Sequence, residues 1–98
     1  MSRLLEENEI ASALLGIPGW QLQENAIASD FVFGNFKEAL AFIVQVGILA
    51  EQANHHPEFT NCYNRVGLVL NTHEMNGITE KDIALARQIN AILKPTSA

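Results

Sequence analysis

One cysteine, few basic side chains and no apolar run of membrane-spanning length set the first limits on this chain. A lone Cys62 cannot close an internal disulfide, and "MSRLLEENEI" has no basic segment leading into an apolar one, so a reducing cytoplasm is the expected compartment. Six Lys plus Arg against eleven Asp plus Glu give a formal charge of −5, the wrong sign for holding phosphate backbones by counterion release. Nucleic acid is therefore not an expected direct ligand. The most apolar stretch, "ALAFIVQVGILA" from Ala39 to Ala50, would rise about 18 Å as a helix against roughly 30 Å of bilayer hydrocarbon, so no membrane span is expected. There is no internal repeat, low-complexity tract or Pro/Ser-rich linker. The 98 residues, 48% hydrophobic, suffice for one core, and residues 1–98 read as a single domain with a frayed "KPTSA" tail.

The apolar pattern predicts an α+β fold. Ile10, Ala13 and Leu14 recur at helical spacing over about Glu6 to Leu15, and Gly16 and Pro18 stop that helix. Trp20 and Leu22 then alternate with glutamines, "QEN" can turn, and Ile27, Ser29, Phe31 and Phe33 share one parity, which predicts a β-hairpin. Asn35 with Glu38 forms an N-cap and capping box ahead of a long helix reaching about Ala53. That helix carries two apolar stripes, Phe36/Leu40/Ile43/Gly47/Ala50 and Phe42/Val46/Leu49, and the second is expected to meet another subunit or the first helix. "CYNRVGLVLNT" reads as one strand with Val66, Leu68 and Leu70 on its apolar side. Thr79 and Asp82 form a second capping box, flanked by Ile78 and Ile83 as a hydrophobic staple, and Ile83, Ala86, Ile89 and Leu93 continue a buried stripe until Pro95. The expected order is α-β-β-α-β-α, an antiparallel sheet with helices on one face, with a short extra strand around Glu58 to Asn61.

All three histidines and the cysteine fall within "NHHPEFTNCYNRVGLVLNTHE", residues 54 to 74. Glu51 and His55 lie four apart and would share a face at the helix end, while Pro57 holds His56 extended and turns the adjacent rings apart. His73, just beyond a strand, would return to the same helix end, so three imidazoles could line one cleft. A single histidine is commonly a surface or half-buried structural residue, but here all three sit at element ends. A zinc or non-haem iron site would suit imidazoles with a carboxylate. Against it, adjacent histidines rarely chelate one ion, no His-x3-His helical pair exists, and Cys62 lies within the strand pattern. Proton transfer is the remaining chemistry, with Glu51 and Asp82 able to orient or bias the rings. The bland alternative for Asp82 is the capping box, and for Glu51 a solvated helix position.

Glu51, three residues, His55-His56-Pro57, five residues, Tyr63, nine residues, His73, eight residues and Asp82 together resemble the signature of the pterin-4a-carbinolamine dehydratases. The resemblance extends through Pro18-Gly19-Trp20, Phe31, Phe33, Phe36 and Ala39 upstream and "GITEKDIALA" downstream, nearly the whole chain.

This resemblance implies a four-stranded antiparallel sheet with helices on one face. It also implies dehydration of 4a-hydroxytetrahydropterin to quinonoid dihydropterin, the recycling step for tetrahydrobiopterin, with no metal or organic cofactor. His55 and His73 would be the acid/base pair, with His56 as a third catalytic imidazole that mainly holds pterin and water. His55, His56 and Pro57, and Thr72, His73, Glu74 and Met75, would contact the pterin, supported by Glu51 and Asp82. Two positions depart from the family pattern: Asn54 stands where some members have Asp, and Phe59 where many have Trp. Asn54 keeps hydrogen bonding but loses a charge that would favour a protonated neighbour. Some members also bind a homeodomain transcription factor, and the 35–53 helix resembles the surface they use. The resemblance thus implies a homodimer or homotetramer, and leaves a non-enzymatic, coactivator-like interaction module as the alternative.

Overall fold

The computed structural model describes residues 3–93. Its elements are α1 (Glu7–Leu14), β1 (Gln21–Gln23), β2 (Ala26–Val32), α2 (Phe36–Ala53), β3 (Glu58–Cys62), β4 (Arg65–Leu70), a 3-10 turn (His73–Met75) and α3 (Glu80–Leu93). The strands form one antiparallel sheet in the order β1-β2-β4-β3. The fold is α+β as expected, with the extra strand present in full, so the order is α-β-β-α-β-β-α.

That strand changes one expectation. Cys62 does not continue into β4: Tyr63, at φ 52, and Asn64 turn the chain so that β3 folds back on β4 with Cys62 opposite Arg65. Cys62 is exposed at the end of an edge strand. Tyrosine is an uncommon residue in the left-handed region, which is why the turn left little trace in the sequence.

The alternation in β2 and β4 places the core. Register pairs Ile27 with Leu70, Ser29 with Leu68 and Phe31 with Val66, so these side chains share the face that the helices cover. The helices reach it through Ile10 of α1, Ala39, Phe42 and Val46 of α2, and Ile83, Ala86 and Ile89 of α3. Phe31 and Phe33 each stack on Phe42 at 4.9 Å, and Trp20 meets Phe31 edge-on at 6.1 Å. Trp20 donates to Asn90 Oδ1 at 2.9 Å, and Asn90 Nδ2 donates to the Pro18 carbonyl at 3.0 Å, tying the Pro18-Gly19-Trp20 segment to α3.

The helix ends follow their caps with two shifts, one at α2 and one at α3, where the Thr79 hydroxyl accepts the Lys81 amide rather than that of Asp82. Asn35 Oδ1 accepts the Glu38 amide at 2.9 Å, but Glu38 Oε1 reaches back to the amide of Gly34 rather than of Asn35. On α2 the Phe42/Val46 stripe, with Ala39 and Ala50, faces the core, and Leu49 packs against it. The expectation that this stripe meets another subunit or α1 is corrected, because it covers the sheet. The row left open among the described residues is Phe36, Leu40, Val44 and Ile48, each 43–61% exposed. Leu93, expected in the buried stripe of α3, is also exposed, and Pro95 lies outside the described residues.

At α1, Arg3 makes a two-pronged contact with Glu9, 2.9 Å and 2.6 Å, and the Glu6 amide donates to the same carboxylate. Arg3 above all, and then that amide, hold the Glu9 carboxyl down from 4.5 to about 2. Ionised Glu9 therefore adds stability above about 4.5 that fades as pH falls through about 2. The pair is exposed, so added salt weakens it. Arg3→Ala is expected to return the Glu9 titration towards 4.5, read from its carboxyl carbon by NMR; a value remaining near 2 would assign the shift to the Glu6 amide alone.

Candidate active site

The site begins where α2 ends. Asn54 takes the left-handed conformation, φ 50 and ψ 43, its amide bonding Glu51 O at 3.2 Å while the His55 amide bonds Ala50 O at 3.0 Å. This ending satisfies orphan carbonyls of the last turn, and asparagine tolerates the conformation better than most residues. It also swings the following residue off the helix surface. His55 consequently does not share a face with Glu51: it turns inwards, is 9% exposed, and places Nε2 2.6 Å from Oδ1 of Asp82 in the first turn of α3. Glu51 instead meets His56, Oε1 to Nε2 at 2.6 Å, in an exposed pair.

His73 arrives from the other side. After β4, Thr72 and Gly77 form an isolated bridge, and the 3-10 turn between them ends on left-handed Asn76. The turn leaves His73 and Glu74 exposed, and Thr72 buried. The side chain of His73 has no hydrogen-bond partner among the described residues.

Asn54, His55, His56, Asn71, His73 and Glu74 line one cleft of about 210 Å³. The three imidazoles thus come together. Of the other sequence-derived site residues, Pro57 lines an adjoining apolar groove with His56 and Phe59. Thr72 and Asp82 lie buried behind the cleft, Glu51 stands outside pairing His56, and half-buried Met75 is not in its wall.

Asn71 was not singled out from the sequence, and neither was the β1–β2 turn. A second hollow of about 370 Å³ shares His56, Asn71 and His73 with the cleft and continues over Gln23, Glu24 and Asn25. Asn25 is held there by its bond to Asn76 Oδ1. The only sequence signal was the polarity of "QEN" itself.

Two imidazoles held by separate carboxylates and a third without a protein partner make a site suited to moving protons. Among the described residues no three His, Cys, Asp or Glu side chains converge on a common metal position.

The family model described as Pterin 4 alpha carbinolamine dehydratase matches residues 3–92. A Thermomicrobium roseum protein assigned as a pterin-4-alpha-carbinolamine dehydratase is 55% identical over 87% of this chain and 91% of its own length. A Rhodopseudomonas palustris protein with the same assignment is 47% identical over 94% of this chain and 92% of its own. Among solved structures, a transcriptional coactivator/pterin dehydratase from Brucella melitensis superposes with a TM-score of 0.90 at 44% identity, covering 94% of this chain and all of that one. A pterin dehydratase-like RuBisCO assembly factor of the alpha-carboxysome, at 20% identity and a TM-score of 0.64, shares the fold alone.

Proposed function

Since this chain belongs to the pterin-4a-carbinolamine dehydratase family, a family of hydro-lyases whose activity it carries, we propose that His55 and His73 move the protons of that dehydration and His56 holds the pterin. The observation that carries this reading is the single cleft lined by all three imidazoles.

The reaction needs little else. In a 4a-hydroxytetrahydropterin the lone pair of N5 can form the C=N bond as the bond from C4a to the hydroxyl breaks, provided that the oxygen leaves as water. One proton goes to oxygen and one leaves nitrogen, so an acid and a base on opposite sides of the reacting carbon complete the chemistry. Positioned imidazoles supply about 10²- to 10⁴-fold by such transfer. Asp82 orients His55, Glu51 steadies His56, and the His73–Glu74 segment that lines the cleft offers polar groups to the edge of the ring. Pro57 and Phe59 give the ring an apolar wall. A Trp at position 59 would add an N–H donor that Phe59 lacks.

We place this activity in the cytoplasm, in tetrahydropterin recycling; no helix among the described residues is long and apolar enough to cross a membrane. The test is dehydration of 4a-hydroxytetrahydropterin generated in situ by a hydroxylase. A rate unaffected by loss of any of the three imidazoles would overturn the residue assignment.

Two surfaces support a homo-oligomer: the apolar row on α2 and the all-exposed edge strand β3. The same row supports the alternative, an interaction module, towards which the description of the Brucella structure as a coactivator also points. Leu49 is a poor probe because it packs on the core, whereas Val44 is 61% exposed. Val44→Asp is expected to reduce the assembly mass measured by light scattering without unfolding the protomer; an unchanged mass would remove this row from the interface.

A further inference from the structure

Behind His55 lies a buried polar network that the cleft does not touch. Thr72 is 1% exposed, and Thr79 and Asp82 are fully buried. Thr72 Oγ1 donates to Asp82 Oδ2 at 2.9 Å, and the Thr79 amide donates to the same oxygen at 2.9 Å. The two threonine hydroxyls stand 2.7 Å apart, and Thr79 Oγ1 accepts the Lys81 amide at 3.3 Å. No buried side-chain nitrogen or oxygen among the described residues is left without a partner.

A hydroxyl has one proton to give. Thr72 gives its proton to Asp82, so the contact between the hydroxyls is a hydrogen bond only if Thr79 donates to Thr72. The protons therefore all point towards Asp82. Oδ2 takes two of them, and Oδ1 remains for His55 Nε2 at 2.6 Å. A carboxylate only accepts, so Nε2 must carry a hydrogen. Nδ1 is then the ring nitrogen left for the cleft, as a lone pair in the neutral ring or as an N–H in the cation.

We propose that Thr72 and Thr79 are positioning residues for the dehydration: their one-way hydrogen-bond chain holds the Asp82 carboxylate so that His55 is fixed as its Nε2–H tautomer and works through Nδ1. This inference rests on the reading of His55 as a proton-transfer residue. A neutral imidazole otherwise exchanges tautomers, and only the form with its hydrogen on Nε2 can take up a proton at Nδ1 or be left behind when Nδ1 gives one away. The buried hydroxyl of Thr72 cannot itself touch the substrate, so its effect passes through Asp82.

The test is nitrogen NMR of the histidine rings, with steady-state kinetics, in the wild type, Thr72→Val, Thr72→Ser and Thr79→Val. Wild-type His55 is expected to show protonated Nε2. In Thr72→Val the carboxylate loses a donor that holds its position, so it is free to turn away from Nε2; His55 becomes a tautomer mixture and kcat falls about ten-fold, the scale of a hydrogen bond to a charged group, with little change in KM. Thr72→Ser keeps the hydroxyl and restores both readouts even where the lost methyl lowers the melting temperature. Thr79→Val shows the same changes more weakly, and stands in should Thr72→Val fail to fold. A lowered melting temperature with an unmoved tautomer and kcat would overturn the proposal. The tautomer is read without turnover, so an active His55→Ala would refute the underlying reading separately.

Discussion

His55→Ala and His73→Ala are each expected to lower the catalysed dehydration rate by about 10²- to 10⁴-fold, the range that one positioned proton-transfer group supplies. The two variants differ in stability, and that difference is diagnostic. His73 is exposed and its side chain has no protein partner among the described residues, so its loss leaves unfolding within about 0.5 kcal/mol of wild type. His55 is buried against Asp82, and its removal leaves Oδ1 without a donor, at a cost of about 1–3 kcal/mol. The comparison is made by assaying dehydration and urea unfolding on the same preparations. Activity lost together with stability in His55→Ala alone would be ambiguous; activity lost at unchanged stability in His73→Ala is not. Full activity in either variant would remove that ring from the mechanism.

Asp82→Ala is the substitution with the largest expected effect on stability. Three donors converge on this carboxylate: the Thr79 amide, the Thr72 hydroxyl and His55 Nε2. Alanine deprives all three at once and removes the reciprocal cap of α3. Each buried donor left without its acceptor costs about 1–3 kcal/mol, and the lost cap adds about 1. A domain of this size has only about 5–15 kcal/mol in total, so the unfolding midpoint should fall steeply. Asp82→Asn is the informative companion. Its single amide oxygen can still accept from Thr79 and Thr72, but its NH2 then faces His55 Nε2, which must become the acceptor. The fold should survive with a smaller loss, while the tautomer of His55 inverts and activity falls. An Asp82→Asn enzyme of wild-type rate would show that the carboxylate serves the helix cap only.

Asp82 also shows how far the sequence could be read. Its spacing from Thr79 marks a helix start through bonds that span three residues, and the structure contains the Asp82 half of that box, the Thr79 hydroxyl taking the Lys81 amide instead. The same carboxylate also binds a histidine 27 positions earlier, and no local pattern separates those two uses. The paired carboxylates show the same limit. Four-residue spacing placed Glu51 beside His55, yet the left-handed turn at Asn54 hands Glu51 to His56 and sends His55 inwards. One residue in an uncommon conformation redirects both rings. Tyr63 does likewise for the turn that divides β3 from β4.

On α2, periodicity revealed two apolar stripes but not their destinations, because an oily stripe looks the same whether a sheet or a partner covers it. The sheet covers Phe42 and Val46; Val44 and Ile48 remain open.

By itself, the sequence determined the α+β class, the parity of β2 and β4, the caps of α2 and α3, and the gathering of every imidazole near one helix end. Those features rest on interactions within a turn or a pleat, where the neighbouring residues supply the whole environment. The tertiary structure alone decided which carboxylate meets which ring, that the β1–β2 turn extends the cleft, and that two threonines stand behind Asp82. Those partners are distant in the chain, and their contact depends on how the helices settle on the sheet.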